Sequence, residues 1–334
     1  MQARRSEINI TYEGKDITND ILPFLIGLTY TDNASGAADT LDLELMDKDG
    51  LWIDSWFPKT GDIIKAQISV INWNFEGDNR SFDCGTFIVD EINFSGRPRT
   101  LSLSAISIPA AQDFNDTKKS KTWKKITIKN IANEIANNAN VQLMFLAEDM
   151  KIDSIEQENT SNMEFLYKLC ETYVMAMKVY NEKIVIFDEI DYESKESIGI
   201  LTELSFTDWS GKTTIAGVYD GVIINYQSPK SSKNKLQYKF KVRDGNRILT
   251  LNQQAENLKD AQKQAKAELR KANKEETTLS LNLKGAIHIT AGCCVTIEGL
   301  GHFNGKYYVD KAVHNINSGF TTNLELHKVL EGGY

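Results

Sequence analysis

The sequence predicts a mainly β protein with a small α/β insert. Short stretches of period-two alternation crowd both ends of the chain, helical spacing is concentrated in the middle, and one long polar helix interrupts the second β-rich region. The class is therefore α+β, with antiparallel β regions at 1–110 and 201–334 flanking an α/β module at 111–200.

In the first region the strands are "INITYEG", "TLDLELMD", "DIIKAQISVINW", "GTFIVDEINF" and "TLSLSAIS", separated by Gly, Asn and Asp turn residues. Alternation with one apolar face fits an antiparallel barrel or sandwich. The polar, lysine-rich "IPAAQDFNDTKKSKTWKK" follows and reads as a boundary. Next, "TIKNIANEIANNANV" has Ile128, Ile131, Ala132 and Ile135 at helical spacing, with Thr127 placed to cap it. A second helix places Met163, Leu166, Leu169, Cys170 and Tyr173 on one face, behind a capping box of Ser161 and Glu164. "KIVIFDE" is the strand that closes the module.

From about Leu201 the strands return as "GVIINYQS", "KLQYKFKVRD", "TLSLNLKG", "CCVTIEGL", "GKYYVDKAVHNI" and "TTNLELHKV". A helix over about 254–274 interrupts them. Its stripe of Ala255, Leu258, Ala261, Ala265, Leu269 and Ala272 is narrow and small, suited to lying close on a sheet while its other faces stay wet.

A chain of 334 residues with 41% hydrophobic residues has material for two or three cores. A net charge of −8 argues against a protein that coats nucleic acid, whose affinity comes from clustered Lys and Arg. Polar residues follow Arg4 and Arg5 where a signal peptide needs an apolar run, and no stretch approaches a membrane span. Synthesis and folding in the cytoplasm are expected. Cys84, Cys170, Cys293 and Cys294 form no C-x-x-C pair and read as reduced, mostly buried thiols.

The two β regions also repeat each other. "TLDLEL" at Thr40–Leu45 is answered by "TLSLNL" at Thr278–Leu283, and Gly61 before "DII" by Gly292 before "CCV". Gly85, Phe87, Val89 and Asp90 match Gly305, Tyr307, Val309 and Asp310, and Gly96, Leu101 and Leu103 match Gly319, Leu324 and Leu326. Four matches in one order point to a duplication.

The stretch "YTDNASGAADTLDLELMDKDGLW" with the later "WFPKTGD" and "CGTFIVDEINFSG" resembles the N-terminal part of the phage late control gene D proteins. "QENTSNMEFLYKLCETYVMAMKVYNEKIVIFDE" resembles that family's central module, and the similarity covers nearly the whole chain. Members are tail-hub proteins of contractile-tailed phages and R-type bacteriocins. The resemblance implies two tail-tube-like β-barrel domains per chain and a homotrimer whose six barrels join a six-fold tail tube to a three-fold spike. It implies as partners the tail tube ring, the central spike protein and other baseplate proteins, in a virion tail or tailocin particle assembled in the bacterial host cytoplasm. No membrane in the resting state, no specific nucleic acid and no cofactor enter. The vicinal Cys293 and Cys294 are a departure with no family role.

Candidate chemistry is thin. His288, His302, His314 and His327 lie near Cys293 and Cys294, but their spacing matches no metal signature, so no metal site is assigned. Asp188, Glu189, Asp191 and Glu193 could supply a carboxyl pair for sugar hydrolysis, although neighbouring acids in a loop are usually a solvated face. No G-x-S-x-G, P-loop or H-E-x-x-H occurs, and no catalytic or cofactor-binding residue is assigned. Lys118, Lys119, Lys121, Lys124 and Lys125 around Trp123 read as a solvated linker. In "KLQYKFKVRD" one strand face is apolar and the other basic, suiting an acidic neighbouring subunit or a protected edge.

The sequence thus supports a non-enzymatic structural hub. The alternatives are a tail-associated cell-wall hydrolase, built on the acidic segment after Phe187, and a host-glycan-binding module using Trp52, Trp56, Trp73 and Trp123. The insertion "LWIDSWFP" distinguishes the first repeat from the shorter "KGAIHITA" of the second. Its Trp52, Trp56 and Phe57 are the candidate interface residues, as docking elements or as a cap on their own core.

Overall fold

The computed structural model describes residues 3–107, 112–115, 117–227, 236–255 and 257–334. The boundary expected at 110/111 lies outside the described residues.

The first region holds β1 (Arg5–Tyr12), β2 (Lys15–Asp16), α1 (Thr18–Ile21), β3 (Leu25–Asn33), β4 (Thr40–Met46), β5 (Ile63–Ile71), β6 (Arg80–Ser95) and β7 (Thr100–Ile106). The middle holds α2 (Gln112–Asn115), β8 (Lys119–Thr127), α3 (Ile128–Asn138), β9 (Gln142–Leu146), β10 (Lys151–Thr160), α4 (Asn162–Thr172), β11 (Met175–Tyr180), β12 (Lys183–Asp188) and α5 (Glu189–Ser194). Then come β13 (Ile200–Thr202), β14 (Phe206–Thr213), β15 (Gly221–Gln227), β16 (Leu236–Lys241), β17 (Ile248–Gln254), α6 (Leu258–Lys274), β18 (Thr277–Leu283), β19 (Cys294–Glu298), β20 (Gly305–Ile316) and β21 (Phe320–Lys328).

The protein is mainly β, and its pairings are antiparallel except β9 with β12, β13 with β19 and β15 with β17. Both chain ends feed one 13-stranded sheet, whose main path runs β14-β18-β21-β20-β3-β4-β7-β6-β5-β1-β2. The region 201–334 contains a second sheet as well, β16-β15-β17, with α6 packed on it through Ala261, Ala265 and Leu269. Leu258, expected in that stripe, is exposed. The far face of α6 is not wet either, because Arg270 and Asn273 are buried.

The duplication is written in the ladders. β4 pairs β7, β7 pairs β6 and β6 pairs β5; β18 pairs β21, β21 pairs β20 and β20 pairs β19. Gly61 N donates to Val89 O at 2.8 Å, and Gly292 N to Val309 O at 2.8 Å. Both glycines take positive φ, +92° and +86°, where a Cβ would be strained. A register shift falls between Val89 and Glu91 and again between Val309 and Lys311, so Asp90 and Asp310 occupy matching bulges.

One match needs correction. Leu43 lies opposite Leu103 and Leu281 opposite Leu324, so Leu324 corresponds to Leu103, Leu326 to Ala105 and Thr322 to Leu101. The sequence alignment is two residues out on this strand. Alternation has a period of two, so a shift of two leaves every side chain on its expected face and only the ladder detects it.

The module forms as its caps indicate. Asn130 N donates to Thr127 Oγ1 at 3.3 Å and Glu164 N to Ser161 Oγ at 3.1 Å, opening α3 and α4. The lysine-rich segment is not a linker. Lys119–Thr127 is strand β8, paired to β10, with Trp123 buried and the Lys121 ammonium 3.6 Å from its ring centroid. Lys119 and Lys121 share the face of Trp123 and Lys121 covers its ring, while Ser120, Thr122 and Lys124 on the other face are exposed.

A buried charge knot holds the module to both repeats. Lys178 on β11 pairs with Asp32 and lies 3.0 Å from Asp39, and it donates to Asn33 O at 3.0 Å. Asp32 also accepts from Ala291 N of the second repeat at 2.9 Å. Burial pushes the Asp39 carboxyl up to about 6, although Lys178 pulls it down.

Candidate assembly interface

Where the repeats meet inside the chain, β20 pairs with β3 from Lys311↔Asn33 to Ile316↔Leu28. Thr29 Oγ1 donates to Asn315 Oδ1 across this junction at 3.0 Å, and His314 stacks on Tyr30 with ring centroids 6.0 Å apart. Leu28, Tyr30 and Asp32 are all buried as a result.

The counterpart of β3 in the second repeat is β14. β3 pairs with β4 and β14 with β18, and a register shift falls between Leu25 and Gly27 and again between Phe206 and Asp208. Tyr30 and Gly211, opposite Leu41 and Leu279, are thus equivalent, as are Leu28 and Trp209. Unlike β3, β14 pairs on one edge only among the described residues. All its residues after Phe206 are exposed. Trp209 is 37% exposed, and Leu204 and Ile215 beside the strand are 98% and 77% exposed. These are large apolar side chains left in water around an open strand edge.

A second open edge in this sheet is the far half of β6. Ile63–Val70 pair with its near half and Thr100–Ile106 with its far half. No strand among the described residues covers Glu91–Ser95 on the side where β3 covers the equivalent part of β20.

The sequence-predicted interface residues divide. Trp52 is 7% exposed and sits in the core of the first repeat. Trp56 and Phe57 are 43% and 50% exposed; Trp56 packs edge-on against Trp52, and Phe57 stacks on Phe94 of β6 at 5.7 Å. Phe57 therefore stands beside the open half of β6. Replacing Trp52 with alanine is expected to cost about 3–5 kcal/mol of stability, as for a core aromatic. The Trp56 and Phe57 variants should unfold near the wild-type temperature while entering tails poorly. Thermal unfolding and incorporation, measured on each single variant, check this; equal stability losses would make all three core residues.

Alternation does not reveal Trp209, because the bulge at Thr207 places the inward residues Phe206 and Trp209 three apart, and Leu204 and Ile215 lie in the connections outside the strand. A matching three-residue step from Leu25 to Leu28 was the available signal.

The acidic segment after Phe187 is helix α5, not an open loop. Glu193 is buried, pairs with Arg270 of α6, and accepts from His327 Nε2 at 2.9 Å, while His327 Nδ1 lies 2.8 Å from Asp310. Burial raises the Glu193 carboxyl, but the His327 hydrogen bond and Arg270 outweigh it and hold it below its usual range. Burial lowers His327, yet the bonds to Asp310 and Glu193 carry it up to about 9. Glu193 is thereby locked into a salt-bridged cluster. His314 is buried with its Nδ1 3.1 Å from Thr322 Oγ1, and burial takes it down to about 4.

A family model described as YQBQ-like matches residues 114–327. The chain belongs to the YQBQ-like family. Among curated relatives, this family member is 27% identical over 246 residues to a probable baseplate hub protein of Escherichia phage 186, covering 70% of the chain and 60% of that protein. It is 30% identical over 165 residues to a probable baseplate hub protein of Escherichia phage P2, covering 48% and 39%. The chain thus spans less than two thirds of the length of either relative. Among solved structures, the 43 kDa tail protein of prophage MuSo2 from Shewanella oneidensis superposes with a TM-score of 0.74 at 13% identity, over 97% of this chain and 98% of that one. The tail-hub resemblance read from the sequence is borne out by these relatives, and the fold is that of a phage tail protein.

Proposed function

We propose that the chain is a structural baseplate-hub subunit of a contractile phage tail or tailocin. Three copies form a ring in which six tube-like β-barrel domains, two per chain, meet the six-fold tail tube above and a three-fold spike below. The carrying observation is the repeated ladder, with its matching bulges at Asp90 and Asp310 and matching turns at Gly61 and Gly292. A chain holding two like units presents six like surfaces when three chains close a ring. In this reading residues 1–110 and the strands of 201–334 are the ring-forming domains, and 111–200 is an outer module. The relatives' names, both probable baseplate hub proteins, support a position in a virion tail.

The other readings lose support at their own residues. Glu193 and Glu189 are tied up in ion pairs with Arg270 and Lys274, and Asp188 Oδ1 accepts from Ile190 N as the cap of α5, while Trp52, Trp73 and Trp123 are buried and Trp56 stands exposed without the other three, so neither the acidic segment nor the tryptophans favour sugar chemistry.

The test is the native mass of the chain, alone and with its spike partner, with symmetry read from electron-microscope class averages. Three chains of 37.6 kDa each are expected. A stable dimer or hexamer with the spike bound would overturn the reading.

A further inference from the structure

We propose that β14 of one copy adds to the open half of β6 in a second copy, in the register that β3 and β20 use inside the chain. This rests on the ring reading above and names the contact that closes it.

Transferring the internal junction residue by residue fixes the pairs. Lys311, Val313 and Asn315 correspond to Glu91, Asn93 and Ser95 through the shared bulge, and Thr29 and Thr31 correspond to Ser210 and Lys212 through the shared pairing with β4 and β18. Asn315 faces Thr29, so Ser95 faces Ser210; Val313 faces Thr31, so Asn93 faces Lys212.

The side chains suit this register. Trp209 and Gly211 turn to the face on which Leu28 and Tyr30 are buried, and Phe94 comes opposite Gly211, where the space a Cβ would take is already filled by the Phe303 ring at 2.9 Å, so Phe94 meets an apolar surface built by Phe303 and Leu279. A Cβ on Gly27 would lie 3.7 Å from Asn317 Cβ, so their counterparts Asp208 and Arg97 come together with opposite charges. Lys212 reaches Glu91 on the diagonal, a distance long side chains span. Both strands present unpaired backbone groups in the isolated chain, and pairing them satisfies both edges while covering Trp209. The contact is head-to-tail, so it does not stop at a dimer, and it closes a ring when each junction repeats the rotation that β3 and β20 set inside the chain.

Cysteine pairs test the register. Ser95→Cys with Ser210→Cys, in a Cys293→Ser background, should oxidise to covalent multimers ending at the closed ring on a non-reducing gel. The pair Asn93→Cys with Asp208→Cys, displaced by four residues or roughly 13 Å along the strand, should stay uncrosslinked. Covalent multimers from both pairs alike, or from neither while the native mass is that of an assembled ring, would overturn the register and leave the hub reading standing. No multimers together with a single-chain mass in every preparation, spike included, would overturn both.

Discussion

Replacing Lys178 with methionine is expected to destabilise the fold by about 3–5 kcal/mol at neutral pH, the cost of stranding a buried charge. Two carboxylates are left behind, Asp32 and Asp39, both almost fully buried. Asp39 is already held above its usual range by burial, and without Lys178 it rises further. A carboxyl raised in the folded state binds its proton there before the unfolded chain does, so the variant regains stability as pH falls through that raised value. The deficit against wild type should thus shrink between neutral pH and about pH 5, and adding Asp39→Asn should recover part of it at neutral pH. Urea unfolding across that range is the measurement. A loss below about 1 kcal/mol would mean that the knot is solvated and bears no weight.

The second large effect lies where α5, α6 and β21 meet. Arg270→Met leaves Glu193 with His327 as its remaining charged partner and should cost about 3–5 kcal/mol. The same cluster makes wild-type stability depend on alkaline pH. His327 titrates near 6.5 when unfolded and near 9 when folded, so its contribution is complete below about pH 6.5 and is lost as pH rises through 9. Two and a half pKa units correspond to roughly 3 kcal/mol at most. Unfolding midpoints at pH 6 and pH 9.5 should therefore differ in wild type and much less in His327→Gln. A flat wild-type profile would show that the ring is not protonated in the fold.

What the sequence revealed follows from which signals are local. Caps at Thr127 and Ser161, the helical stripe of α3 and the turn glycines Gly61 and Gly292 depend on neighbours in sequence, and the structure has them in place. β3 and β14 were absent from the strands read by alternation because a bulge shifts the inward residues out of period in each. The lysines of β8 hid a strand because the buried Trp123 was the one strongly apolar residue among them. Glu193 looked solvated because its partners, Arg270 and His327, lie 77 and 134 residues away. At the candidate interface, Phe57 is legible as an aromatic in an insertion. The open edge beside it was not, since an edge is defined by the strand that is missing.

The junction between β3 and β20 also sets an order of events during synthesis. Thr29 and Asn315 are separated by 286 positions, so at roughly 5–20 residues per second the nascent chain carries an open β3 edge for about 15–60 s. During that time the buried pair Leu28 and Tyr30 has no cover on that side, and neighbouring ribosomes on one message expose the same edge. The finished protein has β3 covered while β14 and the far half of β6 stay open, but the growing chain has β3 open as well, an extra site at which nascent chains can join wrongly before the last strands arrive.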